Sequence, residues 1–334
     1  MNKADIENKE VSIWRRLIPG LLLGFFVFLA LVLIGDVRKM GETLKHFRWE
    51  WFIPVLLLTT FNDGLRFIKW HFYVRQLGVT NVGWKESMRM FVGGFPLSVT
   101  PGKVGEALKG VWLNQASGLP VGSGVSVVVA ERISDGLAVL VLSVFGVAAY
   151  PQYWPVFVFV LAALLAAVVI SQIPPLANWF LDVAGKLPLV KRFAPGLRDF
   201  YEGSAGLFRP VSTVAAVALG SLSWMGEGIG LYVVLLGLGE PPGFRLLALS
   251  IFVMAFSTVV GAVSALPGGL GAAEMSMTGM LVLLAGLDAA VASSATVLIR
   301  IGTLWFGVLL GLIVWAVSPK MLGLREKNGN PVES

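Results

Sequence analysis

Charged residues recur inside the most apolar stretches of this chain, and their spacing is helical. Asp63, Arg66 and Lys69 lie three apart, and Lys103, Glu106 and Lys109 repeat the interval. Glu131, Arg132 and Asp135 form a third group, while Glu227, Glu274 and Arg300 stand alone and need partners in space. Residues three or four apart share a helix face. An ionisable side chain at membrane depth costs roughly 2.5–3.5 kcal/mol even on insertion scales, so this many require a reason. Two readings compete. In one, the charges are structural ion pairs that hold helices together, Glu131 with Arg300 for example. In the other, they line a polar cavity for an anionic head group. Arg66, Lys103, Lys109, Arg132 and Arg300 then supply positive charge. Glu106, Glu131, Asp135, Glu227 and Glu274 are candidates to take up protons as the anion moves. Glu131 and Asp135 share a helix face, and two like charges that close do not both ionise cheaply unless an arginine neutralises one.

Two motifs flank these charges. Ser98-x-x-Pro101-Gly102-x-x-Gly105 precedes Glu106, and Ser264-x-x-Pro267-Gly268-Gly269-x-Gly271 precedes Glu274. Each is followed by an apolar helix with one arginine, and Ser126, Val129, Arg132 and Ile133 fall on Ser294, Val297, Arg300 and Ile301 at one constant offset. Proline removes a backbone donor and glycine loosens the chain, so helices break at Pro101 and Pro267. Broken helices in duplicated positions are the pattern of transporters built from repeats. Helix N-termini at the breaks would turn N–H groups toward an anion, and Gly102, Gly105, Gly268 and Gly269 would let backbone approach it. Gly269 stands where the first copy has Lys103, so the halves are not chemically equivalent.

The elements that position these residues follow from composition. Of 334 residues, 56% are hydrophobic and 14% charged, with mean hydropathy +0.79. A soluble domain carries about 25% charged residues, so the surrounding solvent is lipid. There is no cysteine and only two histidines, His46 and His71, which argues against disulfides, thiolate metal sites and a histidine metal centre. No basic run is interleaved with aromatics on a soluble module, so the net charge of +6 belongs to membrane orientation rather than nucleic acid. No cofactor is expected.

A bilayer core needs about 20 apolar residues in a helix. Leu17–Ile34, Trp51–Lys69, Val125–Tyr150, Trp154–Ile173, Val211–Leu238 and Ala292–Val317 meet or approach that requirement. Met88–Val99 and Met275–Leu287 are nearer half a membrane, which predicts two re-entrant helical hairpins, roughly 86–116 and 244–288. The expectation is an all-α polytopic membrane protein of about six full spans plus two hairpins. Its inverted-repeat halves cover about 86–150 and 244–317, within one transmembrane domain at 15–318. A full span at 244–265 would weaken the symmetry. Residues 1–14 and the polar tail 319–334 fall outside the domain. The connector 174–210 reads as a basic amphipathic helix on the bilayer surface. Lysine and arginine near helix ends place both termini in the cytoplasm. The connector 36–50 is a misfit, because it would lie outside yet carries Arg38, Lys39, Lys45 and Arg48.

Three motifs in order carry a resemblance over about residues 15–318. Pro101-Gly102-Lys103-Val104-Gly105-Glu106, Glu131-Arg132-Ile133-x-Asp135 and Pro267-Gly268-Gly269-Leu270-Gly271-x-x-Glu274 resemble the transmembrane region of lysylphosphatidylglycerol synthases, shared with flippase-like membrane proteins. The resemblance implies a lipid flippase, or a translocator of lipid-linked head groups, in a prokaryotic inner membrane. In bifunctional members a soluble aminoacyl-transferase domain follows, whereas this chain ends at Ser334, so translocation without aminoacyl transfer is the expectation. The expected partner is a membrane lipid or lipid-linked sugar phosphate. Alternatives are a membrane-embedded lipid transferase and a non-transporting partner of a glycosyltransferase. A transferase needs convergent nucleophile, base or metal groups, and no Asp-x-Asp pair accompanies His71. The chain is therefore expected not to be an enzyme.

Overall fold

A computed structural model describes residues 37–100, 105–149, 206–264 and 266–318, with a few positions between 154 and 204. The expected first span Leu17–Ile34, most of Trp154–Ile173 and of the connector 174–210, and the tail 319–334 lie outside the described residues. So do Pro101, Gly102, Lys103 and Val104 at the first motif.

Every described element is helical. A short surface helix, α1 (Val37–His46), leads through a 3-10 turn into α2 (Phe52–Gln76). Then come α3 (Trp84–Gly93), a 3-10 segment (Phe95–Val99), α4 (Leu108–Ser117) and α5 (Val121–Ala149). The second half has α6 (Pro210–Gly237), α7 (Phe244–Val263), a 3-10 turn (Pro267–Gly269) and α8 (Ala272–Ala285). It closes with α9 (Ala289–Arg300), a π turn (Ile301–Trp305) and α10 (Phe306–Val317). Among the described residues, four stretches are long and apolar enough to cross a membrane: Pro210–Gly237, Phe244–Val263, Pro267–Ala285 and Ala289–Val317. α2 and α5 are of 25 and 29 residues but carry the charge groups.

Local chemistry explains the breaks. α3 stops at Gly93-Gly94, and Pro96 then opens the tighter 3-10 turn. α3 and α4 are ten residues each, about 15 Å and near half a membrane core. α7 is longer than the half-membrane arm expected there: its 20 residues rise about 30 Å. The reason is compositional, since no Gly or Pro interrupts it until Gly261. α2 continues to Gln76 rather than stopping at Lys69, because Trp70, Tyr73 and Val74 are buried against α3, α4 and α5 neighbours.

The surface is apolar. Ile53, Leu57, Phe61, Ile68 and Phe72 form an exposed stripe along α2, with Ile53 62% and Leu57 65% exposed. Leu309, Ile313 and Val317 do the same on α10. The interior holds polar groups, including Asn62, Lys69 and Glu131, none of which has exposed surface. Apolar outside and charged inside is the arrangement of a multi-pass membrane protein.

Helix directions follow from side-chain pairings. α2 and α6 are antiparallel: Arg48 bonds Leu236 O at one end, Asn62 bonds Glu227 midway, and Gln76 bonds Ser212 at the other end. α5 runs with α6, since Gly220 lies against Ala138 while Trp224 and Met225, further along, pack with Val139 and Leu142. α9–α10 runs with α2: Gly302 lies against Val55 and Phe52, and Val308 joins the cluster of Phe67 and Trp70. The helices bearing Arg132 and Arg300 therefore point in opposite senses.

Candidate functional site

The three charge groups of the first half converge on one cluster. α2 presents Asp63, Arg66 and Lys69 along one face, as their spacing requires. α5 presents Glu131, Arg132 and Asp135, and α4 with its leading turn presents Lys109 and Glu106. Arg66 sits 3.2 Å from Glu131, 3.8 Å from Asp63 and 3.9 Å from Asp135. Lys69, fully buried, pairs with Asp135. Lys109 lies 3.2 Å from Glu131 and 3.9 Å from Glu106. Arg132 lies 2.9 Å from Glu106, 3.5 Å from Glu131 and 3.8 Å from Asp135. The aromatic walls contribute too. Lys109 stands over Trp70 and Phe91, and Arg66 lies between the faces of Phe91 and Trp224.

The second half builds a simpler version of this site. Arg300 Nε meets Glu274 Oε1 at 2.5 Å, and its Nη2 donates to Gly268 O at 3.1 Å. Glu274 Oε2 accepts from the Gly271 N–H at 2.6 Å. The expected pairing of Glu131 with Arg300 is corrected here: Glu131 pairs with Arg66, Lys109 and Arg132, and Arg300 pairs with Glu274. The N-terminus of α8 is likewise not a free anion site. Glu274, three residues into the helix, already caps it, and a carboxylate suits that end of the dipole.

The two halves are matched at this point. Glu274 lies as far beyond Glu106 as Arg300 lies beyond Arg132, so each glutamate precedes its arginine by 26 residues. The constant offset that aligns the arginine helices also aligns the glutamates, and that was the available sequence signal for the pair. Lys109, Glu131 and Asp135 have Met277, Ile299 and Thr303 as counterparts at that offset. The extra charge of the first half is thus absent from the second.

Between the halves lies a cavity of about 130 Å³, several times what one water needs. Arg66, Lys109, Arg132, Arg300, Glu106, Glu227, Gly268 and Gly269 all line it. Arg132 is the most open of its cations, with 29% of its side chain exposed against 15% for Arg300. Glu131, Asp135 and Glu274 stand behind this wall and reach the cavity only through the arginines and lysines they pair with. Gly105 does not line it; its N–H bonds Thr100 Oγ1 at 2.9 Å. Gly268 and Gly269 both have positive φ, 63° and 68°, a region that L side chains avoid. They turn the chain so that Gly268 meets Val99 of the first motif's 3-10 segment and Gly269 packs on Gly261 of α7. The two motifs are therefore in contact.

Several site residues escaped the sequence reading because no charge or period marks them. Asn62 donates its amide to Glu227 Oε1 and its Oδ1 accepts from Ser223. Thr59 Oγ1 donates to Gly302 O at 2.8 Å, inside the π turn that follows Arg300. A π turn leaves a carbonyl without its usual partner, and such turns gather at functional sites. Ser257 on α7 lines the cavity, and its buried hydroxyl has no partner among the described residues. Among those residues no three His, Asp or Glu side chains come together as a metal-holding group.

Comparison with known proteins adds the family. The model of the lysylphosphatidylglycerol synthase TM region matches residues 20–311. A UPF0104 membrane protein of Methanothermobacter thermautotrophicus is 26% identical over 317 residues, covering 87% of this chain and 90% of that protein. A second from the same organism is 22% identical, over 87% of this chain and 92% of its own. A UPF0104 membrane protein of Pyrococcus horikoshii is 21% identical, over 90% of this chain and 97% of the relative.

Proposed function

This chain belongs to the lysylphosphatidylglycerol synthase transmembrane-region family, and from that premise we propose that it moves an anionic lipid between bilayer leaflets. The cargo is a phosphate-bearing lipid or a polyprenyl-phosphate-linked head group, and the setting is an inner (cytoplasmic) membrane with both termini cytoplasmic. The observation that carries this reading is the pair of opposed arginines, Arg132 and Arg300, on one internal cavity beneath an apolar exterior. A guanidinium has five N–H donors, so each arginine can hold its own glutamate and a phosphate oxygen together. The opposed helix directions and the contact between the two motifs support an inverted repeat, one whose halves are unequal, since α7 has full membrane length where α3 has half. In such repeats the substrate site lies at the repeat interface, and rocking one half against the other alternates its access.

The reading is of a carrier and not a catalyst. It is tested by reconstituting the chain in proteoliposomes with fluorescent phosphatidylglycerol and following loss of signal to an impermeant quencher. Wild type is expected to move the label, and Arg132→Ala and Arg300→Ala to lose that movement while still binding detergent-solubilised lipid less tightly. Wild-type vesicles no faster than empty ones would refute translocation of that lipid class. A transferase would reveal itself in the same vesicles as a new lipid product.

A further inference from the structure

Six carboxylates belong to the buried cluster around the cavity, and five have a cation. Asp63 has Arg66, Glu106 has Arg132, Glu131 has Lys109 and Arg66, Asp135 has Lys69, and Glu274 has Arg300. Of the six, Glu227 is the one that makes no ion pair within 4.0 Å with a described residue. Its place is fixed all the same. Ser223 holds the Asn62 carbonyl, which turns the Asn62 amide to donate to Glu227 Oε1. The residue is 8% exposed and faces the cavity from α6.

Two arguments single it out. Protonating Glu274 would strand Arg300, protonating Glu106, Glu131 or Asp135 would weaken the hold on several cations, and protonating Asp63 would give up its pair with Arg66. A buried charge that loses its partner is costly. Protonating Glu227 gives up no ion pair at all. The second argument is charge balance. Among the described residues, Arg66, Lys69, Lys109, Arg132 and Arg300 face six carboxylates, so this set, fully ionised, carries one net negative charge. An arriving phosphodiester would make that two, in a low-dielectric site where the excess is expensive. One proton restores the charge of the empty cavity.

We propose that Glu227 is the proton carrier, taking up one proton for each anionic head group that enters and releasing it when the head group leaves. This rests on the translocation reading above and assigns its coupling to α6 rather than to Glu131 and Asp135. The step is a simple protonation: an O–H bond forms on the cavity-facing oxygen of Glu227 with a proton from the aqueous phase, and breaks on the opposite side. The charged groups acting on Glu227 are Arg66 and Asp63 from α2, Arg300 from α9 and Asp135 from α5. The polar side chains that α7 brings to the cavity wall, Ser257 and Thr258, do not titrate in this range.

One-for-one cotransport of this kind is electroneutral, which sets the test. In proteoliposomes carrying fluorescent phosphatidylglycerol, wild type should respond to an imposed pH gradient. One pH unit holds at most about a tenfold leaflet ratio. Wild type should ignore a membrane potential set by potassium and valinomycin. Glu227→Gln keeps the Asn62 bond and removes titration. It should lose the pH response and become potential-driven, by up to about fiftyfold at 100 mV for one charge. A variant that keeps the wild-type pH response overturns the proposal. Infrared difference spectra in nanodiscs, taken across pH, supply a readout that needs no transport. A protonated-carboxyl band present in wild type and missing in Glu227→Gln is expected, and an identical band in both overturns the assignment. Lipid that fails to move while the band behaves as expected refutes translocation alone. Should Glu227→Gln not fold, Glu227→Asp must shift the midpoint of the band, and an unshifted midpoint overturns the proposal.

Discussion

Replacing Arg300 by methionine should separate what this arginine does for the fold from what it does for transport. The substitution keeps an apolar stem and removes the guanidinium, leaving Glu274 buried at 3% exposure without its cation. Removing one partner of a buried pair costs about 3–5 kcal/mol. The low end applies here. Glu274 keeps the Gly271 N–H and the favourable end of the α8 dipole, worth about 0.3–1 kcal/mol. A loss of about 3 kcal/mol is therefore expected in equilibrium unfolding in mixed micelles. Adding Glu274→Gln removes the stranded charge while its amide oxygen still accepts from Gly271. The double variant should return to within about 1 kcal/mol of wild type, since replacing both members of a buried pair is often near neutral. Translocation should not return, because neither side chain then offers a cation to the head group. The assay is lipid movement in proteoliposomes, run on the same preparations used for unfolding. A double variant that regains both stability and transport would show that Arg300 only balances Glu274, and the head-group role would be wrong. The equivalent change at Arg132 should cost less stability, because Glu106 and Glu131 both retain Lys109.

Three further outcomes follow from packing and topology. Gly269→Ala places a methyl 2.9 Å from the Gly261 backbone at φ +68° and should cost about 1–3 kcal/mol, read as lower unfolding stability and yield; an unchanged protein would argue against the close approach of α7 to the second motif. Trp315→Phe removes the 2.7 Å bond to Gly93 O, stranding a buried carbonyl that ties α10 to the end of α3, for about 1–3 kcal/mol in the same unfolding assay. The chain has no cysteine, so engineered pairs report cleanly on direction. A short thiol cross-linker should join Gln76→Cys to Ser212→Cys but not Arg48→Cys to Ser212→Cys, and the reverse pattern would contradict the antiparallel packing of α2 and α6.

Composition and periodicity by themselves determined that the chain is helical and lives in lipid, because apolar stretches of membrane length admit no other backbone that satisfies its own hydrogen bonds. Proline and glycine determined where helices break, since missing donors and positive φ act locally. The α6 helix at Pro210–Gly237 matches the expected Val211–Leu238 for that reason. Spacing also determined which charges share a face on α2 and α5. It did not determine pairing across helices. That Glu131 faces Lys109 and Arg66, and Arg300 faces Glu274, depends on how the helices pack against one another. A local pattern carries no information on that. The same holds for Glu227. In the sequence it is one carboxylate among several, and only the approach of α2 to α6 gives it an asparagine in place of a cation. The π turn after Arg300 is also a tertiary decision, since Thr59 from α2 satisfies the carbonyl of Gly302.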